Sequence, residues 1–401
     1  MPADPPRGNA VIGQAGGPTA VINQSLVGVV EGLREGGVVG KILGARHGVS
    51  GMVNDDFLDL TDLAADKLNR LAATPSAGLG STRDKPNEAY CERIFEKLRA
   101  RDVRYFFYVG GNDSSDTCRI VNELSNHAGY ELRCFHVPKT IDNDLKENDH
   151  TPGFPSAARF VGKAFTGDNL DNASLKGIKV NIVMGRHAGF LTAASALARH
   201  HDDDGPHLIY LPERNFDPDT FVADVDRVYS KLGRCVIAVS EGIHNAQGES
   251  ISALMSGLEE KDAHGNVQLS GTGALGDWLA NLIRLKLTPE GGKPPRVRAD
   301  TFGYLQRCYP DASPIDQHEA RAAGHKAAEV ALLGDLDGSV AIKRMSNEPY
   351  ESRFELVKLE DVAAKTRVMP DEFIKGDHDV TPAFFDYLRP LVGEMPVIER
   401  L

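Results

Sequence analysis

Short apolar runs alternate with amphipathic segments along most of the chain. The apolar runs are typical of buried strands, and they fall at residues 10–13, 105–109, 134–137, 179–184, 207–211 and 235–239. Apolar positions at helical spacing predict helices over residues 20–34, 115–128, 188–199 and 220–232. Strands that alternate with helices form parallel sheets, so we expect a doubly wound α/β architecture.

The length of the chain predicts more than one domain. At 401 residues, it exceeds the size at which a single hydrophobic core usually stops growing. We expect a first domain of residues 1–152 with about 308–365, and a second of residues 153–307 with the C-terminal helices. After about residue 357 the sequence indicates nothing beyond helices.

The charge and the cysteines limit the partners and the compartment. A formal charge of −12 argues against a general surface for nucleic acids or anionic membranes. The five cysteines are scattered and form no Cys-x-x-Cys pair, which is typical of reduced thiols. The first residues contain no apolar signal region, and no later stretch is apolar enough to span a bilayer. We therefore expect a cytoplasmic protein without nucleic-acid or membrane partners.

A polar loop at residues 110–117 directly follows the second apolar run. It offers the amide of Asn112, the carboxylate of Asp113 and the hydroxyls of Ser114 and Ser115. Oxygen ligands of this kind suit Mg²⁺, which also shares the phosphates of a substrate. An Asx turn with a helix N-cap at one of the serines is the structural alternative, and both interpretations can hold together.

A second polar loop, residues 138–144, follows the third apolar run and contains Lys139, Asp142 and Asp144. A lysine among carboxylates can neutralise developing phosphate charge while an aspartate accepts a proton from an attacking hydroxyl. A solvated charged turn is the alternative for this loop alone. Two such loops beyond the carboxyl ends of strands are placed where α/β sheets bind ligands, and they favour phosphoryl transfer.

Two glycine motifs are less specific. Gly16 and Gly17 precede a predicted helix, where backbone N–H groups can bind an anion, although a tight turn explains them equally well. Gly271, Gly273 and Gly276 match a dinucleotide-binding spacing, but they follow a polar stretch, so we interpret them as the entry of a helix. The P-loop spacing is absent from the sequence.

Several charged side chains stand at or near the ends of later predicted strands. Arg186 suits bidentate phosphate binding, and Glu241 can accept hydrogen bonds from sugar hydroxyls. Arg298 and Arg307 flank residues 302–306 and could complete a phosphate clamp. A surface salt bridge is the alternative for any one of these arginines, so their value lies in the ensemble.

Taken in order, these segments resemble the phosphofructokinase family, and within it the pyrophosphate-dependent enzymes. The matching elements are Gly16-Gly17, Gly80-Ser81-Thr82-Arg83, residues 110–114, residues 138–144, Met184-Gly185-Arg186, Glu241-Gly242 and residues 304–307. The resemblance implies two Rossmann-like domains with the active site in the cleft between them. It also implies reversible phosphoryl transfer from Mg-pyrophosphate to the 1-hydroxyl of fructose 6-phosphate, giving fructose 1,6-bisphosphate and phosphate.

The resemblance also implies a role for each matching residue. Asp142 is the general base, and Lys139, Asp113 and Arg83 are the other catalytic residues. The first domain holds Mg²⁺ through Asn112 and Asp113, and pyrophosphate through Gly16, Gly17, Asp113, Ser114 and Lys139. The sugar phosphate is assigned to Thr140, Ile141, Asp142, Asp144, Met184, Gly185, Arg186, Glu241, Arg298, Tyr304 and Arg307, mostly in the second domain. Arg298 is expected to reach across a subunit interface, which implies a homodimer or homotetramer.

The choice of phosphoryl donor depends on Asp113 and Lys139. ATP users in the family typically carry glycine at both positions. A carboxylate about 4 Å from an α-phosphate, at an effective dielectric near 20, would repel it by roughly 4 kcal/mol. Lys139 supplies positive charge for a compact pyrophosphate. Two positions depart from the pattern of the family: Asn112 stands where aspartate is common, and Tyr304 where ATP users often have histidine.

Three alternatives remain at the level of sequence. An ATP-dependent phosphofructokinase would keep the fold and the acceptor but use another donor. An NAD kinase-like enzyme would share the glycine-rich loop, but residues 138–144 and 184–186 do not suit it. A catalytically silent regulatory homologue should have lost the base or the donor loop, whereas Asp142, Lys139 and Asp113 are all present.

Overall fold

The computed structural model describes residues 5–256, 273–334 and 336–400. The strands are β1 (Gly8–Gln14), β2 (Val39–Ala45), β3 (Phe57–Asp59), β4 (Val103–Gly110), β5 (Arg133–Pro138), β6 (Gly177–Val183), β7 (Leu208–Tyr210), β8 (Arg234–Ser240), β9 (Val297–Thr301), β10 (Gly338–Asn347), β11 (Tyr350–Val357), β12 (Ile374–Lys375) and β13 (Asp379–Val380). The α-helices are α1 (Ile22–Gly36), α2 (Val49–Val53), α3 (Ala65–Ala72), α4 (Glu88–Ala100), α5 (Asn112–His127), α6 (Phe154–Leu175), α7 (Phe190–Ala193), α8 (Pro218–Leu232), α9 (Ile251–Ser256), α10 (Ala274–Leu287), α11 (Pro314–Leu333), α12 (Leu359–Val362) and α13 (Pro382–Val392). Short 3₁₀ helices lie at Ala194–Ala198, Gly303–Gln306 and Asp371–Phe373.

The chain divides into two compact units. Unit 1 is formed by Met1–Ser156 and Arg307–Arg367, and unit 2 by Ala157–Gln306 and Val368–Leu401. The chain therefore passes from one unit to the other three times. Each unit has its own sheet and its own hydrophobic core.

Unit 1 is built on a seven-stranded sheet of order β11-β10-β5-β4-β1-β2-β3. The five central strands, β10 to β2 in this order, run parallel. The two edge strands, β11 and β3, are antiparallel to their neighbours. Parallel strands place their carboxyl ends along one edge of the sheet, where ligands of such folds bind.

Helices cover both faces of the unit 1 sheet, and the alternation along β4 shows why. Tyr105, Phe107 and Val109 pack with α1 and α11 on one face. Phe106 and Tyr108 pack with α4 and α5 on the other. Successive side chains of a strand point to opposite faces, so a continuous apolar run is required when both faces are buried.

The closest helix pair in unit 1 is α1 with α11. Glycines allow the two backbones to approach. A Cβ on Gly28 would lie 2.0 Å from the carbonyl oxygen of Arg321, and one on Gly324 would lie 2.1 Å from that of Ser25. At one end of this contact, Arg321 also pairs with Glu31 at 2.5 Å.

Unit 2 is built on a parallel four-stranded sheet of order β7-β8-β6-β9. Its core joins β6, β7, β8 and β9 with α8 and α10. The antiparallel pair β12–β13 lies in the same unit. Unit 2 therefore repeats the α/β arrangement of unit 1 with fewer strands.

The α/β fold class with two Rossmann-like domains is confirmed, and the local differences have physical reasons. Residues 190–198 form a short α7 followed by a 3₁₀ helix instead of one α-helix, and all nine are buried, so packing fixes this segment. The helix predicted from residue 115 begins at Asn112 because Gly111 takes the N-cap position. Gly273 precedes α10 as the predicted helix entry, whereas Gly271 lies outside the described residues.

The strand pair β10–β11 was not predicted from the sequence. β10 begins with buried residues and ends with exposed ones, so its pattern is neither a continuous apolar run nor a strict alternation. Within the described ranges 5–256, 273–334 and 336–400, no helix combines the length and the apolar character needed to cross a bilayer.

Candidate active site

In unit 1, the two polar loops start side by side. β4 and β5 are neighbouring parallel strands whose last residues, Gly110 and Pro138, are paired in register. The first loop turns directly into α5, so Asn112, Asp113 and Ser114 occupy the first turn of that helix. The unpaired N–H groups of a helix start favour anions, and the arrangement suits binding of a phosphate group.

A buried histidine fixes the point where the two loops meet. His136 Nε2 lies 2.8 Å from the Gly110 carbonyl oxygen, and its Nδ1 lies 2.8 Å from Ser339 Oγ. The Lys139 backbone N–H donates to the same Gly110 carbonyl at 3.0 Å. Burial lowers the pKa of His136 to about 4. The ring is therefore neutral at physiological pH and acts as a hydrogen-bonding brace.

The side chains of the two loops also meet directly. Asn112 Nδ2 donates to Asp144 Oδ2 at 3.4 Å. Within the second loop, the Asp142 backbone N–H donates to Thr140 Oγ1 at 3.1 Å. Asp142 and Asp144 are half-buried, whereas Ile141 between Thr140 and Asp142 is buried. The structure thus brings the predicted base and the predicted metal ligand Asn112 into one cluster.

The glycine loop after β1 joins this cluster through Lys139. Lys139 Nζ donates to the Gly17 carbonyl oxygen at 2.9 Å. Gly16 has a positive φ of 74°, and a Cβ there would lie 2.9 Å from Lys139 Nζ. Gly16 therefore allows the turn and also leaves the space that the lysine occupies.

The loop that contains Arg83 is hydrogen-bonded to the same glycine turn. The Gly16 N–H donates to the Thr82 carbonyl at 2.8 Å, and Ser81 Oγ donates to the Gly16 carbonyl at 2.6 Å. A Cβ on Gly17 would lie 2.8 Å from the guanidinium of Arg307, which also belongs to unit 1. Unit 1 therefore gathers several cations at the carboxyl end of its sheet.

Burial and these cations shift the pKa of Lys139. Lys139 is 4% exposed, and burial, followed by the charge of Arg307, lowers its pKa to about 8 despite the opposing effects of Asp142 and Asp144. A lysine with a desolvated, weakly stabilised charge gains strongly from an anionic ligand. Lys139 is therefore suited to bind a phosphate oxygen.

The pKa of Asp144 shifts in the opposite direction. Burial, and next the neighbouring charge of Asp142, raise it to about 7. Two carboxylates in one poorly solvated site do not both ionise easily, so they titrate as a pair. A carboxyl group with a perturbed pKa beside a lysine with a perturbed pKa is typical of catalytic sites.

Asp113 makes a contact that the sequence analysis did not anticipate. Lys85 Nζ lies 2.9 Å from Asp113 Oδ1, and both side chains are about half exposed. The pair raises the pKa of Lys85, mainly through the hydrogen bond to Asp113. Because the lysine offsets part of the carboxylate charge, Asp113 would repel an α-phosphate less than a lone carboxylate would.

The predicted metal ligands can be tested against the chemistry of a divalent cation. Asn112 Oδ1 is buried and, among the described residues, has no hydrogen-bond partner. Asp113 is the next residue in the sequence, and the carboxylate of Asp144 accepts a hydrogen bond from the amide nitrogen of Asn112. No group of three or more His, Cys, Asp or Glu side chains within the described ranges could hold a metal alone. The oxygen atoms fit a cation that takes its remaining ligands from phosphate and water.

In unit 2, a second group of predicted residues lies at the carboxyl ends of β6 and β8. The Glu241 N–H donates to the carbonyl of Val183 at 2.9 Å, so residues 184–186 and 241–242 lie together. Ser240 Oγ donates to the Gly185 carbonyl at 2.6 Å and accepts from the Gly242 N–H at 3.1 Å.

The close approach of these two loops depends on glycine. A Cβ on Gly242 would lie 2.1 Å from the Arg186 carbonyl oxygen. Glu241 is 5% exposed and Arg186 is half-buried. A buried carboxylate beside an accessible arginine can bind a sugar hydroxyl and a phosphate.

The last predicted residues of unit 2 lie on β9, in the case of Arg298, and after it, in the case of Tyr304. Gln306 Oε1 accepts from the Met184 N–H at 3.2 Å, which ties the 3₁₀ helix Gly303–Gln306 to residues 184–186. Tyr304 is 47% exposed. Arg298 lies on β9, opposite Lys179 of β6, and it is also exposed.

Some residues with a structural part in these groups were not predicted. Lys85 stands two positions after Arg83 and could have been found as a second cation of the same loop. His136, Ser240 and Gln306 act as braces, and nothing in their local sequence distinguishes them from other polar residues. Arg367 contacts the second loop from more than 200 positions away, so only the fold brings it there.

The chain resembles known proteins over nearly its whole length. The family model described as Phosphofructokinase matches residues 9–331. The pyrophosphate–fructose 6-phosphate 1-phosphotransferase of Rhodospirillum rubrum is 57% identical over 98% of this chain and 97% of its own. The enzyme of the same name from Halomonas elongata is 39% identical over 96% and 91%. The crystal structure of a pyrophosphate-dependent phosphofructokinase from Nitrosospira multiformis superimposes with a TM-score of 0.85 at 35% identity, covering 98% of this chain and 95% of that one.

Proposed function

The chain belongs to the phosphofructokinase family, and we propose that it reversibly transfers a phosphoryl group from pyrophosphate to the 1-hydroxyl of fructose 6-phosphate. The products are fructose 1,6-bisphosphate and phosphate. One observation carries the choice of donor: Lys139 is buried with its Nζ 2.9 Å from the Gly17 carbonyl and its pKa lowered to about 8. A small, highly charged anion beside this lysine would restore the electrostatic stabilisation that burial removes.

Unit 1 is assigned to the donor. The N–H groups at Gly17 and the start of α5 can donate to the oxygens of pyrophosphate, together with Ser114 and Lys139. The Gly16 N–H donates to the Thr82 carbonyl, so we assign Gly16 to the shape of the turn around the donor. Arg83 is assigned to the charge that develops on the transferred group. The ion pair with Lys85 offsets part of the charge of Asp113, and the charge that remains would still oppose the longer phosphate chain of a nucleotide.

Unit 2 is assigned to the sugar phosphate. Met184, Gly185, Arg186 and Glu241 lie together at its strand ends. We assign these four residues to the sugar, and Arg298, Tyr304 and Arg307 to its 6-phosphate. Thr140, Ile141 and Asp144, in the loop that holds the base, are also assigned to the binding of the sugar phosphate.

Asp142 is the proposed base of the forward reaction. The sugar O1 attacks the terminal phosphorus of pyrophosphate, the bond to the bridging oxygen breaks, and phosphate leaves with the bond electrons. Asp142 accepts the proton of the 1-hydroxyl as this bond forms. In the reverse reaction Asp142 returns the proton to O1, and phosphate is the nucleophile.

A divalent metal is typical of this family, and we propose Mg²⁺ held by Asn112 Oδ1 and Asp113. When bound, the cation would neutralise charge on the oxygens of pyrophosphate. The further proposals are a cytoplasmic location and a homodimer or homotetramer with active sites at the subunit interface.

Initial rates with fructose 6-phosphate and Mg²⁺ test the proposal, with pyrophosphate and ATP compared as donors on one purified sample. Turnover with pyrophosphate alone is expected. Turnover with ATP alone would retain Asp142 as the base and reject the roles of Asp113 and Lys139. If neither donor supported turnover while fructose 6-phosphate still bound, the result would reject catalysis in favour of a regulatory homologue.

A further inference from the structure

The loop between β5 and α6 carries Asp142 and Asp144 without any regular element of its own between Pro138 and Phe154. Its two ends are joined where the Thr140 N–H donates to the Pro152 carbonyl at 3.2 Å. The middle of the loop extends beyond this junction and needs other contacts to hold one conformation.

One side chain from a distant part of unit 1 provides such contacts. Arg367 Nε donates to the Asn143 carbonyl at 2.8 Å, and its two terminal nitrogens donate to the carbonyls of Asn148 at 2.5 Å and Asp149 at 2.8 Å. The Arg367 backbone N–H donates to the Asp144 carbonyl at 2.8 Å. One residue thus binds four backbone carbonyls of the loop.

Two of the bonded carbonyls, those of Asn143 and Asp144, belong to the stretch of the loop that carries the carboxylates. Asn143 stands between Asp142 and Asp144, is fully buried, and has a positive φ of 60°. A non-glycine residue in this conformation costs energy and persists only where surrounding contacts impose it. The bond from Arg367 to the Asn143 carbonyl, and that from the Thr151 N–H to Asn143 Oδ1 at 3.1 Å, are contacts of this kind.

We propose that Arg367 is a positioning residue for the phosphoryl transfer, and that it holds the backbone of the loop so that Asp142 faces the sugar hydroxyl. This inference rests on the proposed function. A planar guanidinium can donate to several fixed acceptors at once, whereas a lysine ammonium is a point charge on a flexible stem. The role therefore belongs to the geometry of arginine and not to its charge alone.

The test compares Arg367→Met and Arg367→Lys with wild type, using steady-state kinetics with pyrophosphate and fructose 6-phosphate. A displacement of about 1 Å can cost about a hundredfold in rate. We expect kcat of Arg367→Met to fall about thirtyfold to a hundredfold with both KM values within about threefold of wild type. The kcat of Arg367→Lys should fall about tenfold, because lysine keeps the charge but lacks the planar set of donors of the guanidinium group.

Two further measurements separate positioning from general stability. Guanidinium ion at low millimolar concentration should restore part of kcat in Arg367→Met, and it should not change wild type. Amide hydrogen exchange of peptides covering residues 140–153 should accelerate in both variants. Lys365→Met is the matched control, since Lys365 is an exposed cation two residues away on the same segment; it should change neither readout.

Each outcome decides the inference. A folded Arg367→Met with kcat within about twofold of wild type, or with unchanged exchange in residues 140–153, would overturn it. If Arg367→Met does not fold, Arg367→Lys takes its place, and a wild-type kcat in that variant would overturn the requirement for the guanidinium. A wild type that does not turn over with pyrophosphate rejects the proposed function instead, and hydrogen exchange alone then decides whether Arg367 holds the loop.

Discussion

A single carboxylate accepts the proton in the proposed reaction, and its removal should separate binding from chemistry. General base catalysis contributes about 10²–10⁴ to a rate, so Asp142→Asn should lower kcat by at least about a hundredfold while fructose 6-phosphate still binds. Steady-state kinetics and calorimetric titration with the sugar phosphate measure the two effects. A variant with a near wild-type kcat would remove Asp142 from the role of base.

Glu147→Gln is the matched control for this substitution. Glu147 is an exposed carboxylate of the same loop and pairs with Lys343 at 3.3 Å on the surface. Exposed pairs of this kind contribute little to stability. Its kcat should therefore equal that of wild type.

Lys139 should give the donor site a pH dependence of its own. With a pKa lowered to about 8, the free enzyme loses this charge as the pH rises through about 8, so kcat/KM for pyrophosphate should fall there. Lys139→Arg stays charged and should abolish the decline, at a lower absolute rate. If kcat/KM for pyrophosphate declined in the same way at alkaline pH in both proteins, the decline would belong to another group.

The lowered pKa of Lys139 also makes the stability of the fold depend on pH in a defined direction. Between about pH 8 and the ordinary lysine pKa of 10.5, the unfolded chain keeps the proton on Lys139 and the folded chain does not. Stability from this group therefore rises with pH across that window. A loss of activity above pH 8 without a loss of structure would agree with both statements.

The donor preference can be tested by restoring glycine at both diagnostic positions. Asp113→Gly with Lys139→Gly should lower kcat/KM for pyrophosphate by roughly a hundredfold or more, through loss of a charge-assisted contact, and should allow measurable use of ATP. Rates with each donor are the measurement. Asp116→Asn, in the same helix and paired with Arg119, is the control; unchanged use of pyrophosphate in the double variant would refute the account of donor choice.

At the scale of elements, the parts of the site that follow strands were predictable and the braces were not. The loops at residues 110–117 and 138–144 were recognised because polar residues follow apolar runs directly. Arg367 reaches the second loop through a side chain whose local sequence carries no corresponding signal. Lys85, which pairs with Asp113, was overlooked although it stands two positions after Arg83. Contacts between residues far apart in the chain are fixed by packing, which periodicity does not encode.

The fold shows the same division. Strands buried on both faces, such as β4 and β5, were predicted from continuous apolar runs. The edge strand β11 was missed although its charged residues Glu351, Arg353 and Glu355 stand at every second position, which is the pattern of a strand with one exposed face. Charges on an edge strand are expected because they discourage pairing with another chain.

The packing of α1 against α11 gives a prediction for stability. In Gly324→Ala the new methyl group would lie 2.1 Å from a backbone oxygen, and overpacking of this kind typically costs about 1–3 kcal/mol. Gly167→Ala, in α6 with open space around its Cβ, should instead stabilise by up to about 1 kcal/mol. In thermal denaturation, the melting temperature should therefore be lowest for Gly324→Ala, intermediate for wild type and highest for Gly167→Ala. A reversed order would contradict the close contact between α1 and α11.

For the whole molecule, the proposed sharing of Arg298 between subunits predicts complementation. Asp142→Asn and Arg298→Ala should each be nearly inactive. If Arg298 acts in the neighbouring subunit, a hybrid dimer contains one site with both residues intact, so an equal, re-equilibrated mixture should recover about a quarter of wild-type activity. Light scattering on the same samples gives the oligomeric state, and a mixture that stays inactive would place Arg298 in its own subunit's site.

The three crossings of the chain between units also determine the order in which the protein can assemble during synthesis. The four-stranded sheet of unit 2 has all of its strands once Thr301 has left the ribosome, whereas the sheet that begins first must wait for β10 and β11, which end at Val357. Until α11 emerges, the face of α1 around Gly28 has no partner helix. The N-terminal third of the nascent chain therefore exposes apolar surface until α11 has been synthesised, and surface of this kind makes a nascent chain prone to aggregation.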